Sequence, residues 1–277
     1  YLDSKTGDFK QYTIEEGSHP HNINIDERGR VWFTGNTNGK LYNIDPASGA
    51  LKPIQLDPVV KDPHTMIWGR DGIAWFTAQG SQRIGRFDRN TGEIKLWTPE
   101  INPSNPYGIV LDSKGRPWID LFRTNRIATI DPKTLELKEY ILPAARARPR
   151  RIAVTSDDMV WYGDYTRGYI GKLDPKTGKV EEWPMPEGPT SLPYGMTVDD
   201  QDRLWLAETG VNPNRLVAFD PKSQQWVANV PVSSNGAAAN TIRHMTFDRD
   251  SKTIWFGTDA GTIGQMKVPT EIRKLVP

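Results

Sequence analysis

The sequence predicts an all-β chain that folds as a six-bladed β-propeller with four-stranded antiparallel blades. Three independent marks repeat along the chain with a period in the low forties, and each belongs to a different part of the repeat. A period of about 40–45 residues with four short apolar runs is typical of a propeller blade. The marks are a Trp at 32, 75, 118, 161, 205 and 255, a closing Asp at 45, 88, 131, 174 and 220, and a Pro ahead of the Trp at 20, 63, 106, 149 and 193.

The repeat is most regular in residues 106–131, PYGIVLDSKGRPWIDLFRTNRIATID. An apolar alternation runs to Leu111, a turn follows, and Trp118 lies in a second apolar run. A polar turn then leads into a third run that ends at Asp131, and LELKEYILP supplies a fourth. Short apolar runs separated by turn residues predict strands joined by hairpins.

The 277 residues form one predicted domain, because a single blade cannot bury its own faces and must stack on its neighbours. The repeated Trp side chains supply much of that packing area. Two insertions, residues 211–214 and 233–240, lengthen loops, and lengthened loops on a rigid scaffold often carry function. The predicted blades span residues 19–56, 63–99, 106–143, 149–186, 193–232 and 243–268, the last completed by residues 8–14.

The two ends of the chain carry complementary parts of a repeat. The N-terminal segment reads like a fourth strand without its first three, and the last repeat has three apolar runs without a closing Asp-Pro turn. We therefore predict that residues 8–14 complete blade six and close the ring, which removes an exposed sheet edge. Residues 271–275, EIRKL, are the alternative outer strand.

Composition excludes several classes of function. The net charge is +1, from 35 basic and 34 acidic residues, and the one basic cluster at residues 146–151 is too short for a phosphate track. No apolar run approaches membrane-spanning length. The chain has no Cys, hence no disulfide framework and no thiolate chemistry. We expect a monomer that binds a small molecule rather than nucleic acid or a membrane.

The displayed sequence starts at Tyr1, without Met and without a signal-like apolar segment. This start favours a processed or trimmed chain, and we expect a periplasmic or secreted bacterial protein, with the cytoplasm as the alternative.

Strand order predicts a cluster of varied side chains at one mouth of the central channel. The first and second strands of a blade are antiparallel, so the start of the first and the end of the second lie together. These positions change chemical type from blade to blade within a constant scaffold, which is typical of a binding site. The alternative is a water-filled channel whose polar side chains form hydrogen bonds only with one another and with water. The first strands start with His21, His64, Tyr107, Arg150, Tyr194 and Arg243, and Asp120, Asp164 and Glu208 end second strands.

Histidine is the residue in this set that can act as a general base near neutral pH without a large pKa shift. His21, His64 and His244 lie at or beside the start of a first strand. His64 is the first candidate base, because Tyr107 is its neighbour in the ring, and His21 is the second. The carboxylate of Glu208 could hold a hard divalent cation or pair with a neighbouring arginine.

The repeat resembles that of the virginiamycin B lyase, or streptogramin lyase, family over essentially the whole chain. The segments PHNINIDERGRVWFTG, NPYGIVLDSKGRPWID and LPYGMTVDDQDRLWLAETG are similar to its Pro-(His/Tyr)-Gly-Ile, Asp-Gly-(Arg/Asn) and Trp-Phe-Thr-Glu pattern, and RIGRFD is similar to its third strand. Two features depart from the family. Its propeller has seven blades, and its base His stands two residues after the Glu, where Glu208 is followed by Thr209 and Gly210.

The resemblance implies an enzyme that opens a cyclic depsipeptide by elimination at an ester, with a carboxylate-bound Mg²⁺ and a His base. By that resemblance Glu208 matches the Glu of Trp-Phe-Thr-Glu, and His21 and His64 match mouth histidines that touch substrate. We therefore expect a carbon–oxygen lyase that uses a divalent metal, Mg or Ca, held by Glu208. Its reaction would be elimination or ring opening at an ester, lactone or other carbonyl substrate.

Two alternatives stay open. One is a lactone hydrolase, because six-bladed lactonases of the gluconolactonase type show a looser resemblance and also bind a divalent metal at the channel mouth. The other is a non-catalytic propeller that binds a small molecule or a protein. In the lyase hypothesis, the catalytic residues are His64, His21 and Glu208, and an anionic or phenolic substrate is bound by Tyr107, Arg150, Tyr194, Arg243, His244, Asp120 and Asp164.

Overall fold

A computed structural model describes residues 1–232 and 241–269 and confirms the all-β, six-bladed propeller. Each sheet keeps its strands in chain order, so every blade is an antiparallel meander. Five sheets have four strands, and the sixth has three among the described residues. The predicted insertion 233–240 and the alternative strand 271–275 lie outside the described residues. In the ranges given above, no helix is long and apolar enough to cross a membrane.

The blades follow one another along the chain, and a short 3-10 helix, Gly188–Thr190, precedes blade five. The strands are β1 (Pro20–Ile25), β2 (Val31–Gly35), β3 (Lys40–Ile44), β4 (Leu51–Gln55), β5 (Pro63–Trp68), β6 (Ile73–Ala78), β7 (Arg83–Asp88), β8 (Ile94–Trp97), β9 (Pro106–Leu111), β10 (Pro117–Leu121), β11 (Arg126–Ile130), β12 (Leu137–Ile141), β13 (Pro149–Val154), β14 (Val160–Asp164), β15 (Tyr169–Leu173), β16 (Val180–Pro184), β17 (Pro193–Val198), β18 (Leu204–Glu208), β19 (Arg215–Asp220), β20 (Gln225–Pro231), β21 (Ile242–Asp248), β22 (Thr253–Thr258) and β23 (Ile263–Lys267).

The closing Asp of each repeat fixes the turn between the third and fourth strands. In blade one, Asp45 accepts hydrogen bonds from the Ala47 amide (2.9 Å) and from the Ser48 hydroxyl (2.8 Å). Gly49 follows with a φ of +77°, a left-handed conformation that glycine adopts without a steric penalty. The closing Asp recurs in five blades, and glycine holds the left-handed position in blades one, two and four, whereas Leu135 and Gln224 adopt it in blades three and five.

Apolar clusters join each blade to the next from blade one to blade six. Five of the six repeated Trp side chains are buried in these clusters, and Trp255 is half-buried. Trp118 of blade three, for example, packs with Ile152 and Tyr162 of blade four. The repeated Trp residues thus form the packing between blades, as their period predicts.

No strand pairing joins the N-terminal segment to blade six among the described residues, and closure of the ring by residues 8–14 stays a prediction. Residues 8–14 form no strand, and the only bridge nearby is an isolated one from Leu2 to Phe9. Tyr12 and Ile14 instead pack against an apolar cluster of blade one that includes Tyr42. Apolar contacts with blade one therefore position this segment, although its sequence resembles a fourth strand.

Every first strand carries a β-bulge just after its initial residue. In blade one Pro20 pairs with Gly35 and Ile23 pairs with Phe33, so three steps along β1 oppose two along β2. The same extra residue occurs in the first strand of each of the other five blades. A bulge interrupts the alternation of side chains and re-aims those next to it. Two consecutive residues of each first strand can therefore face the mouth and the channel.

Candidate functional site

The structure brings together the six side chains that start the first strands. The rings of His21 and His64 have centroids 3.8 Å apart, and those of His64 and Tyr107 are 4.1 Å apart. The hydroxyls of Tyr107 and Tyr194 are hydrogen-bonded to each other across the mouth. The guanidinium of Arg243 lies 5.8 Å from the Tyr194 ring. Adjacent first strands hold these groups because each begins at the same end of its blade.

Arg150 lies inside a box of aromatic rings. Its guanidinium carbon is 3.7 Å from the ring centroid of Tyr194, 4.3 Å from that of Tyr165, 4.9 Å from that of Phe122 and 5.6 Å from that of Tyr107. Its buried Nε–H has no hydrogen-bond partner in the described part of the chain. The negative faces of the rings stabilise the cation, and they leave its hydrogen-bond donors available to a ligand.

The sequence analysis missed three contributors to this site: Arg151, Phe122 and Tyr165. Arg151 follows Arg150 in β13 and lies 4.9 Å from the ring of Tyr107. Plain strand alternation would have turned Arg151 away from the mouth, and the bulge turns it inward. A signal was present, because the Pro-aromatic-Gly pattern has Gly at this position in blades three and five and a basic side chain in blades four and six.

Below the mouth, the first strands of all six blades line a cavity of about 340 Å³, which is the central channel. Arg151 and His244 occupy the second bulge position of their strands and face this cavity. The His244 side chain is exposed to the open channel, but desolvation by the surrounding strands lowers its pKa to about 3, and the nearby positive charge of Arg151 contributes, so the imidazole is neutral at pH 7. His244 therefore belongs to the channel rather than to the mouth.

The two mouth histidines differ in their environments. His64 is buried, its Nδ1 lies 2.9 Å from the Thr65 hydroxyl, and burial lowers its pKa to about 2. His21 is exposed, and its Nδ1 lies 3.0 Å from the His64 carbonyl oxygen. Since a carbonyl can only accept, Nδ1 of His21 carries the proton and Nε2 keeps the lone pair. The pKa of His21 is also lowered, by partial desolvation from the surrounding mouth residues and by the nearby charges of Arg151 and Arg243, although part of its ring remains exposed. His21 is the more accessible base, so the geometry favours it over His64.

The two tyrosines of the mouth also differ. Burial raises the pKa of Tyr107 to about 12. Burial opposes ionisation of Tyr194 as well, but the Tyr107 hydroxyl and the guanidinium of Arg150 favour its phenolate more strongly, so its pKa lies below the ordinary value. Tyr194 is thus the more acidic phenol of the pair.

Asp120 lies beneath the mouth, at a position where blades one and two have threonine. The equivalent Thr77 donates to the carbonyl of Tyr107 in the next blade at 2.8 Å. The carboxyl oxygens of Asp120 accept from the Gly108 amide at 3.1 and 3.2 Å. Full burial raises the pKa of Asp120 to about 8, although Arg151 and Arg150 oppose the shift. Asp120 is therefore protonated at pH 7 and does not neutralise the two arginines.

Asp164 and Arg243 are held by ion pairs. The Asp164 carboxylate accepts from the Arg148 amide (3.0 Å) and from the Arg167 guanidinium (3.1 Å), which fixes the following turn. The guanidinium of Arg243 binds Asp259 through two hydrogen bonds of 2.6 and 2.8 Å. Asp164 therefore has a structural environment, and Arg243 is partly neutralised at the rim of the mouth.

Glu208 does not meet the mouth histidines. Its Oε1 accepts from the Ser191 hydroxyl (2.7 Å) and the Glu187 amide (3.2 Å), whereas its Oε2 is buried without a partner in the described structure. Burial raises the pKa of Glu208. Within residues 1–232 and 241–269, no three His, Cys, Asp or Glu side chains converge as a metal site would require. The described residues therefore do not fit the divalent cation expected at Glu208.

An open groove of about 500 Å³ adjoins the mouth. Phe122 lines both this groove and the box around Arg150. The groove has apolar walls from the loop before blade three, which suit a bulky group attached to a mouth ligand. Its lining residues are Ile101, Pro103, Phe122, Arg123, Thr124 and Arg148.

Comparison with known proteins gives one family match and several structural ones. The model of the virginiamycin B lyase family matches residues 7–275. A catalytically inactive virginiamycin B lyase from Staphylococcus aureus, solved with quinupristin, has a TM-score of 0.83 and 24% identity, covering 95% of this chain and 86% of that chain. A streptogramin B lyase has a TM-score of 0.77 and 25% identity, covering 94% and 86%.

A candidate 6-phosphogluconolactonase from Bacteroides uniformis ATCC 8492 has a TM-score of 0.71 at 13% identity, covering 97% of this chain and 87% of that chain, which shows a shared fold alone. No curated protein sequence matches this chain.

Proposed function

Because the chain belongs to the virginiamycin B lyase family, we propose that it is a lyase that acts on an anionic or phenolic carbonyl compound bound at the channel mouth. His21 is the general base in this proposal, and Arg150 stabilises the negative charge that develops. The proposal differs from the sequence-based expectation in two respects: His21 replaces His64 as the first candidate base, and no step depends on a metal at Glu208.

The exposure and tautomer of His21 support its role. The His64 carbonyl accepts from Nδ1 of His21 at 3.0 Å, which leaves the Nε2 lone pair as the basic site. A base with this geometry can take a proton from the carbon between a carbonyl and the carbon that bears the ester oxygen. The buried ring of His64 lies against His21, with centroids 3.8 Å apart, and limits its orientation. His64 is therefore a positioning residue in this proposal.

Arg150 supports the other half of the reaction. Removal of a proton beside a carbonyl places charge on the carbonyl oxygen, and hydrogen-bond donors fixed in place for that charge lower the barrier. The guanidinium of Arg150 has such donors and is held by Tyr194 and Tyr165 rather than by a carboxylate. The enolate then expels an acyloxy group from its β-carbon: the carbon–oxygen bond breaks, the group leaves as a carboxylate, and a carbon–carbon double bond forms between the α- and β-carbons. The proton taken by His21 passes to solvent.

The observation that carries the proposal is the juxtaposition of an accessible imidazole with an arginine that has no carboxylate partner, in one aromatic mouth. His64 and Tyr107 lie between the two, because the His64 ring packs on His21 and the tilted Tyr107 ring contacts His64 and also faces Arg150. A structural ion-pair network would instead pair the guanidinium with Asp or Glu. Phenol rings around a cation also suit a planar or phenolic substrate.

The reaction can be tested with quinupristin, a cyclic ligand of the matching lyase structure, followed by mass spectrometry. Elimination opens the ring and leaves the mass unchanged, whereas hydrolysis adds one water. We expect a ring-opened product of unchanged mass, and we expect His21→Gln to abolish it while Arg146→Gln, an exposed arginine outside the mouth, retains it. A product heavier by one water would establish the lactonase alternative, and saturable binding without a product would establish the binding module.

A metal requirement can be tested in the same assay. Because the described carboxylates do not converge, we expect treatment with a chelator to leave the rate of ring opening unchanged. A rate that falls with chelator and returns with Mg²⁺ or Ca²⁺ would restore the metal-assisted mechanism that the resemblance implies.

A further inference from the structure

We propose that the central channel beneath the mouth binds an oxyanion, held by the guanidinium of Arg151. This site lies below the mouth, and it borders the aromatic box around Arg150, because the guanidinium of Arg151 lies 4.9 Å from the Tyr107 ring and 5.4 Å from the Tyr194 ring. Its ligand class is a carboxylate, sulfate or phosphate group, whose paired oxygens match the planar fork of a guanidinium.

The burial of Arg151 is the first observation. The residue is only 7% exposed, and its Nε–H donates to the Arg243 carbonyl at 3.3 Å. Among the described residues, no carboxylate oxygen lies within 4 Å of its guanidinium. Two phenol rings face the guanidinium and stabilise it in part, but they leave its charge unneutralised. A buried charge is most stable when it is paired, so an anion from outside the chain would stabilise this cation further.

Arg203 provides the contrast within the same molecule. It is 5% exposed, close to the value for Arg151, and its Nε donates to the Asp199 carboxylate at 2.6 Å. Arg89 is likewise paired, at 2.9 Å from Asp26. The chain thus supplies carboxylates to arginines that support the fold, and the described structure supplies none to Arg151.

The lining of the channel is the second observation. The cavity of about 340 Å³ has no Asp or Glu in its lining, and it has a neutral His244 beside Arg151. The amide of Asn22 and the hydroxyl of Thr65 also face the cavity and can donate to an anion. Asp120, the nearest buried acid, is protonated at pH 7 because burial raises its pKa to about 8.

Two sources can supply the oxyanion: a free inorganic anion, or the carboxylate of a molecule whose other end occupies the mouth. Both would place negatively charged oxygens on Arg151. The two sources differ in what they need for binding. A free inorganic anion binds at Arg151 by itself, whereas the carboxylate of a larger molecule binds there only when the phenol of that molecule enters the aromatic mouth near Tyr194.

The test compares thermal unfolding and calorimetric binding with sodium sulfate and with 4-hydroxyphenylacetate, at constant ionic strength. We expect one or both to raise the Tm of the wild-type chain by about 3 °C near saturation. Arg151→Met should remove this shift, and without the anion its Tm should equal or exceed that of the wild type, because an unpaired buried cation is gone. The matched control, Arg146→Met, changes an exposed arginine and should retain the shift.

Sulfate binding would identify a free anion, and binding of 4-hydroxyphenylacetate alone, weakened by Tyr194→Phe, would identify the carboxylate of a mouth ligand. The proposal is overturned if neither compound binds the wild type, or if Arg151→Met keeps the full shift. The test requires no turnover, so its failure leaves the proposed lyase reaction standing.

Discussion

The two ends of the inner strands use the same backbone for different purposes. At the end away from the mouth, the repeated Trp indole donates to a polar side chain six residues earlier in blades one, three, four and five. The pairs are Trp32 to Asp26 (2.9 Å), Trp118 to Asp112 (3.2 Å), Trp161 to Thr155 (3.1 Å) and Trp205 to Asp199 (2.8 Å). At the mouth end, the residues that start the first strands carry an imidazole, a phenol or a guanidinium, and no side-chain hydrogen bond recurs among them from blade to blade in the described structure.

This difference separates residues that maintain the fold from residues that face a ligand. A contact that recurs in several blades stabilises the blade itself, as the closing Asp and the repeated Trp do. At the mouth, the backbone geometry is the same in each blade but the chemical type of the side chain changes. These side chains are therefore not needed for the fold, and they leave cations without a carboxylate partner that can bind a ligand. The following changes should affect one end of the strands without the other.

The largest expected effect is on stability, from Asp199→Ala at the constant end. Asp199 is 1% exposed and accepts from the side chains of Trp205 (2.8 Å) and Arg203 (2.6 Å), so its removal leaves a buried cation unpaired. We expect a loss of about 3–5 kcal/mol in the free energy of unfolding. Chemical denaturation measures this loss.

Thr155→Ala is the matched control, because Thr155 holds the same position in blade four with a neutral hydroxyl bonded to Trp161. It should cost only about 1 kcal/mol. Equal losses for the two variants would show that the charge of Asp199 has no special role.

The second effect is on activity, from His21→Gln at the mouth. We expect turnover to fall about a hundredfold or more, the usual scale for a lost general base, which is about 2.7 kcal/mol of transition-state stabilisation. Stability should change little because the His21 ring is exposed. Turnover on the substrate opened by the wild type, measured beside an unfolding curve, separates the two effects.

For His64→Gln we expect a smaller loss of turnover with a larger loss of stability, because that ring is buried between His21 and Tyr107. If His64→Gln were the more damaging variant for turnover, His64 rather than His21 would be the base.

A third effect concerns pH. The pKa of Asp120 is raised by burial from 3.8 to about 8, so its carboxyl stays protonated as pH rises to 8 and ionises above it. The resulting carboxylate would compete with an external anion for Arg151 and Arg150. We therefore expect sulfate to bind about tenfold more weakly at pH 9 than at pH 7, measured by calorimetry.

Asp120→Asn should remove most of the pH dependence of sulfate binding. The pH dependence that remains in this variant measures the contribution of Tyr194, the other acidic group of the mouth. The same raised pKa favours the folded state most below pH 3.8, and that advantage is lost as pH rises towards 8. An unfolding free energy that stays constant relative to Asp120→Asn between pH 4 and pH 8 would contradict the buried, protonated carboxyl.

The smallest effect is expected for an exposed contact between blades. The amide and hydroxyl of Ser113 donate to the two carboxylate oxygens of Asp158 at 2.8 and 2.7 Å. Because these groups are in water, Ser113→Ala should cost about 1 kcal/mol or less, with unchanged turnover. A shift in Tm of a few degrees or less is the measurement, and a larger shift would show that this contact controls blade docking.

The sequence predicts the fold well because its signals are local and repeated. The period of the Trp residues predicts the packing between blades, because the same contact recurs at every blade. The closing Asp and the turn residue after it predict the hairpins, because they interact within a few residues of each other. The N-terminal segment has the local pattern of a fourth strand, but the sequence does not show that Tyr12 and Ile14 pack on blade one. Contacts between distant parts of the chain leave no such periodic mark.

The mouth was predictable only in part. Antiparallel strand order brings His21, His64 and Tyr107 to one end, and the structure shows them in contact. Sequence alone could not show that Glu208 is engaged by Ser191, because that contact depends on the path of the loop before blade five. It also could not show the inward turn of Arg151, because the bulge that causes it is a backbone feature.

The bulge in every first strand also has a consequence for how this molecule can change. Each blade presents two neighbouring side chains to the axis, and the hydrogen-bonded ladder resumes beyond them whatever those side chains are. Substitutions at these positions can therefore change which ligand binds, one blade at a time, without disturbing the packing between blades. A library of variants that changes only the two bulge residues of each first strand should therefore contain a high proportion of folded proteins.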